Sequence, residues 1–133
     1  MGSRILLVED NEVFRRPLQR ALEAAGYAVV AVPSGEDALD VLDGSRVDLA
    51  LTDQHLPGMG GVALVARIKA LQPAVGVIVM TAVATRESAV EARRRGAGDY
   101  LVKPFEMPEL LLALHRALEQ QKSPAHAASS GVP

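Results

Sequence analysis

Cysteine is absent from the 133 residues. Disulfide bonds, thiolate metal centres and cysteine nucleophiles are therefore excluded. A dominant charge sign is also lacking, since the net charge is -2. Direct nucleic-acid binding needs a basic footprint, and the chain does not supply one. Its one basic cluster, Arg93-Arg94-Arg95, sits at the end of an expected helix, where the helix dipole already favours positive charge. Long hydrophobic runs are missing too. No segment approaches the ~20 apolar residues of a membrane span. The apolar run Ile5–Val8 is too short for a signal peptide and is followed at once by acids. These absences point to a soluble, cytoplasmic protein with no membrane partner.

The chain does contain two alternating periodicities. Ile5–Val8 is a continuous apolar run, as expected of a strand buried on both faces. Val13, Phe14, Leu18, Ala21, Leu22 and Ala25 follow at helical spacing, and Gly26 stops them. Tyr27–Val32 reads as a second strand. Ser34 and Asp37 resemble a capping box, opening a helix that ends at Gly44. Val47–Thr52 reads as strand three, and the Pro- and Gly-rich loop 54–60 leads to a helix through Leu71. Val75–Met80 reads as strand four, with a helix from Thr85 to Arg95 closed by Gly96. Asp99–Val102 is a short fifth strand. The last helix starts near Met107 and Pro108 and runs to about Gln121. Five βα units in strict alternation imply an α/β fold, a parallel sheet with helices on both faces. Residues 123–133 shift sharply to Ser, Pro, Ala and Gly, so a disordered tail or the start of a linker is expected there. The domain is expected to span residues 1–122.

Polar residues collect at the expected strand ends. Strand one ends in Glu9-Asp10, strand three in Asp53, strand four in Thr81 and strand five in Lys103-Pro104. In an open parallel α/β sheet all carboxyl ends lie on one edge, and ligands bind there. Two like charges ~4 Å apart cost on the order of 4 kcal/mol at an effective dielectric of 20. A lysine offsets only part of such repulsion, and a divalent cation is the natural remedy. An all-oxygen donor set suits Mg²⁺. A metal, an ammonium and a hydroxyl around one carboxylate form a set suited to phosphoryl transfer, with Asp53 as nucleophile.

Glu9-Asp10 after an apolar strand, Asp53 followed by Gln54-His55-Leu56-Pro57-Gly58, Thr81-Ala82, and Asp99-Tyr100-Leu101-Val102-Lys103-Pro104-Phe105 resemble the receiver domain of two-component response regulators. The resemblance runs from about Arg4 to Gln121. It implies a doubly wound, flavodoxin-like (βα)5 fold with strand order 2-1-3-4-5. It implies that Asp53 accepts phosphate from a sensor histidine kinase or phosphotransfer protein. Asp10, Asp53 and the backbone carbonyl of His55 would bind Mg²⁺ directly, and Glu9 through water. Thr81 and Ala82 would meet the phosphoryl group, Tyr100 would turn inward when Thr81 moves, and Lys103 would pair with the phosphate or with Asp53. The Lys103–Pro104 bond would be cis, which only proline makes inexpensive. Such a domain is a signalling phosphoacceptor and not an enzyme acting on a separate substrate.

Blander roles exist for the same residues. Asp53 could be a turn residue, Asp10 or Asn11 could cap the first helix, and Thr81 could be an ordinary strand-end hydroxyl. His55 and His115 read as exposed side chains. Glu9 stands where Asp is often seen, and Gly60 stands where many relatives have Asp. Val83, two past Thr81, offers no polar group to hold an attacking water, which points to slow self-dephosphorylation. The surface of strand five and the last two helices is too apolar for the winged-helix class of regulators and looks more like the nitrogen-regulation type or stand-alone receivers. That surface is the expected site for a homodimer or an effector. Two alternatives remain. One is a phosphate-independent, receiver-like interaction module. The other is a phosphatase of the haloacid dehalogenase type, which would need a second Asp where His55 stands.

Overall fold

The computed structural model describes residues 2–122, without the side chains of residues 121 and 122. The tail expected at 123–133 lies outside the described residues. Five strands and five helices alternate: β1 Arg4–Val8, α1 Glu12–Ala24, β2 Ala28–Val32, α2 Gly35–Gly44, β3 Leu49–Asp53, α3 Gly61–Leu71, β4 Gly76–Thr81, α4 Arg86–Arg94, β5 Asp99–Val102 and α5 Met107–Lys122. All strand pairs are parallel, in the order β2-β1-β3-β4-β5.

The alternation of side chains along each strand feeds two cores. Leu6, Val8, Ala50, Val77 and Val79 point to one face and pack with Leu64, Val65, Ile68 and Ala92. Ile5, Leu7, Leu49, Leu51, Ile78 and Met80 point to the other and pack with Leu18, Leu22, Leu110 and Leu114. Both faces are therefore covered, which explains why the strands read as unbroken apolar runs. None of the helices described is long and apolar enough to cross a membrane.

Helix ends follow local chemistry, with some shifts from the sequence reading. Asn11 caps α1 by accepting from the Val13 amide at 2.9 Å. Ser34 accepts from the Asp37 amide, but Asp37 returns no bond, so α2 has half of the expected capping box. The reciprocal box forms at α4 instead, between Thr85 and Ser88. Gly44 is the last residue of α2, not the stop beyond it; Ser45 is the cap. Gly26 and Gly96 do end their helices with positive φ, at 102° and 117°. Strands two, three and four begin one or two residues later than expected, at Ala28, Leu49 and Gly76. Tyr27, Val47 and Val75 are apolar because they close the base of the core, not because they pair. Pro17 lies inside α1, where both it and Val13 are exposed. Water can meet the Val13 carbonyl that loses its helical partner there.

Candidate functional site

Strand register assembles the site. Val8 pairs with Thr52, so Glu9 and Asp53 leave adjacent strands side by side. Asp53 pairs with Met80, and Thr81 with Val102, which brings Thr81 and Lys103 to the same edge. The strand ends are extended by the bonds Glu9 N to Val32 O at 3.1 Å, Gln54 N to Met80 O at 2.7 Å and Lys103 N to Thr81 O at 2.7 Å. The Lys103–Pro104 peptide bond is cis.

Carboxylate oxygens of Glu9, Asp10 and Asp53 lie within 4.8 Å of one another. Glu9 is 1% exposed and Asp53 is 7% exposed, so two of the three charges are taken out of water. The Lys103 Nζ donates to Glu9 Oε1 at 2.7 Å and stands 3.6 Å from Asp53 Oδ2. One ammonium thus pairs with two of three clustered carboxylates, which leaves a net negative site. Burial pushes the Glu9 carboxyl above its ordinary range. The hydrogen bonds from Lys103 and the Asn11 amide pull it back, while the neighbouring Asp53 charge adds to the rise. The donors are all oxygen, and Asp10 is open to solvent. That set fits a hard divalent cation that keeps part of its water shell.

Thr81 is fully buried, and its hydroxyl is committed to the loop after β4. It accepts from the Val83 amide and donates to the Val83 carbonyl, both at 3.1 Å. Ala82 and Val83 are exposed. Tyr100 is half-buried against the core on the α2–α4 side. Its hydroxyl lies 3.0 Å from Gln54 Oε1 and 2.6 Å from Ser88 Oγ. His55 is exposed in the loop after β3, and His115 is exposed on α5. The site therefore gathers Glu9, Asp10, Asp53 and Lys103 directly. Thr81 and Tyr100 stand behind them, each held by other partners.

Four residues around the site were not singled out from sequence. Arg15 donates to the Glu9 carbonyl at 2.8 Å, bracing the acid pair from α1. Phe14 lies with its ring 4.2 Å from the Lys103 ammonium. Gln54 and Ser88 hold Tyr100. Phe14 read from sequence only as part of the apolar face of α1, and its contact with Lys103, far along the chain, left no signal in local spacing. Gly61 has a steric role as well. A Cβ there would collide with the carbonyl oxygen of Asp53. Its amide instead donates to Gln54 O at 2.8 Å, so α3 starts directly beneath the acid residue.

Residues 5–115 match the response regulator receiver domain family. The chain belongs to that family. It is 44% identical over 121 residues to the response regulator protein FleR of Pseudomonas aeruginosa, covering 90% of this chain and 26% of that protein. It is 39% identical over 124 residues to the DNA-binding transcriptional regulator NtrC of Klebsiella pneumoniae, covering 91% of this chain and 26% of that one. Among solved structures, the signal receiver domain of an HD domain-containing protein from Pseudomonas fluorescens superposes with a TM-score of 0.88 at 36% identity, over 92% of this chain and 99% of that one. NtrX from Brucella abortus gives 0.88 at 31% identity, over 96% of this chain and 30% of that one. The receiver domain spans about a quarter of the length of the curated relatives it matches. These matches agree with the fold and family read from the strand-end motifs.

Proposed function

We propose that Asp53 is the phosphoacceptor and that a phosphohistidine on a sensor kinase or phosphotransfer protein is the donor. The carrying observation is the placement of Lys103 between Glu9 and Asp53, beside the open carboxylate of Asp10. An Asp53 oxygen forms a bond to phosphorus as the donor's P–N bond breaks, and the electron pair returns to the imidazole nitrogen. Lys103 is poised to neutralise charge on the phosphoryl oxygens. Asp10, Asp53 and the His55 carbonyl would hold Mg²⁺, with Glu9 acting through water; the ion would supply further charge neutralisation. Thr81, with Ala82 next to it, reaches the phosphoryl group after its hydroxyl leaves Val83. Tyr100 then senses the movement through the space Thr81 vacates.

On this reading the unit 1–122 is a cytoplasmic phosphoacceptor. The protein signals by contact and does not turn over a separate substrate. Val90 on α4, Val102 on β5 and Leu112 on α5 are exposed at 53%, 47% and 50%. An apolar set of this kind fits a second copy or an effector, such as the remaining three quarters of relatives like FleR and NtrC.

Intact mass after incubation with acetyl phosphate tests the proposal. One phosphoryl adduct is expected, dependent on Mg²⁺ and lost in Asp53→Asn. A folded wild-type protein that gains no adduct would replace this reading with a phosphate-independent interaction module.

A further inference from the structure

Phe14 has a bland reading, since it packs at the margin of the core formed by α1 and α5. Its contacts are more specific than that. The ring presents its face to Lys103, with Nζ 4.2 Å from the centroid. A cation within about 6 Å of a ring centroid is held by the ring quadrupole, more strongly where water is excluded. The Lys103 side chain is only 16% exposed, so water is largely excluded here. Phe105, two residues past Lys103, meets the Phe14 ring edge-on at 6.1 Å and 85°. That contact fixes the ring plane.

The first turn of α1 explains why Phe14 can do this. Asn11 caps the helix, and the Phe14 amide donates to the Asn11 carbonyl at 3.1 Å. The cap that follows the acid pair therefore sets the ring's position. The next residue, Arg15, braces the Glu9 carbonyl. One turn of helix thus holds both the acids and the cation that serves them. The ammonium has Glu9 at 2.7 Å, Asp53 at 3.6 Å and an aromatic face where an ordinary surface lysine would have water.

We propose that Phe14 is a positioning residue for phosphoryl transfer: its ring confines the Lys103 ammonium to the carboxylate edge, where it meets the incoming phosphoryl group. The inference rests on the phosphoacceptor reading of Asp53. A long, flexible lysine loses rotamer freedom when it is held at a site. The aromatic wall imposes that loss before the donor arrives, so less ordering remains for the transition state. Neither Glu9 nor Asp53 can do this alone, because both must also serve the metal.

The test uses the chain as it stands, with Mg²⁺ and acetyl phosphate. Phe14→Leu is expected to slow formation of the Asp53 adduct about tenfold. Phe14→Tyr, which keeps the ring, is expected to stay within about twofold of wild type. Leu18→Val, a change in the same core away from the site, controls for loss of packing and should leave the rate unchanged. In the wild-type NMR spectrum the Lys103 ε-methylene protons should be shifted upfield by the ring current. The shift should persist in Phe14→Tyr and vanish in Phe14→Leu. An unshifted Lys103 signal in the wild type overturns the proposal, as does a Phe14→Leu rate equal to wild type or a matching slowdown in Leu18→Val. If Phe14→Leu does not fold, Phe14→Met replaces it, and the wild-type signal still decides the geometry. A wild type that forms no adduct defeats the phosphoacceptor reading instead, and the NMR result separates the two failures.

Discussion

Lys103 is bound more closely to Glu9, at 2.7 Å, than to Asp53, at 3.6 Å. Glutamate is one methylene longer than aspartate, and that length lets the first acid of the pair reach across to the lysine. The resting site is therefore organised around a Glu9–Lys103 ion pair, with Asp53 free on its other side to take a ligand. Glu9→Gln should keep the shape and remove the charge. Groups that support a metal through a water commonly change its affinity by roughly 10–100-fold when lost. A drop in Mg²⁺ affinity of that order is expected, and calorimetric titration of both proteins would measure it. Equal affinities would remove Glu9 from the metal site.

The same carboxyl gives a pH dependence. Burial raises the Glu9 pKa in the folded protein above its ordinary value of 4.5. A group whose folded pKa is raised favours the native state most when protonated. Its stabilisation is present below the unfolded pKa and lost as pH rises through the folded one. Without Mg²⁺, wild type should therefore lose stability relative to Glu9→Gln as pH climbs from 4.5 through that raised value. Urea unfolding of both proteins across the interval checks the sign. A gap that closes with rising pH contradicts the burial account.

Gly61 is where α3 meets the backbone of Asp53. Gly61→Ala drives a methyl into the Asp53 carbonyl, and no flexible side chain is there to yield. Overpacking of this kind costs typically 1–3 kcal/mol. Denaturant unfolding should show a loss of that size, and the Asp53 adduct should form more slowly because the acid is displaced. Gly60→Ala next to it meets no atom within 4 Å and serves as the control.

Tyr100 is tied to Gln54, the neighbour of Asp53, and to Ser88, the third residue of α4. Tyr100→Phe removes both bonds while keeping the ring. A net loss of about 1 kcal/mol is expected. It should be local, because Ser88 also completes the α4 capping box with Thr85. Hydrogen exchange should quicken at the α4 amides and leave β1 and β3 unchanged. Uniform quickening would mean that Tyr100 supports the whole domain and not this helix.

Val83 is 64% exposed and carries no group to orient a water. The aspartyl-phosphate is expected to persist for minutes or longer without a phosphatase. A half-life of seconds, read by intact mass after the donor is removed, would refute this.

The sequence by itself determined the alternation of strands and helices, because the central strands β1, β3 and β4 are buried on both faces and the helices bury one face each. Glu9-Asp10, Asp53, Thr81 and Lys103 could be placed at strand ends, because each closes a largely apolar run. The strand order followed only from family resemblance. Strand starts were misplaced by one or two residues at Tyr27, Val47 and Val75, since an apolar residue that plugs the core reads like one that pairs. Tertiary structure alone decided which partner each polar group took. Glu9 and Lys103 are 94 residues apart, and their 2.7 Å bond depends on β3 and β4 lying between β1 and β5. Thr81 turned to Val83, Tyr100 to Gln54 and Ser88, and the Phe14 ring to Lys103. Pattern in a sequence reports which face a residue buries; only packing in three dimensions fixes the few ångströms that choose its partner.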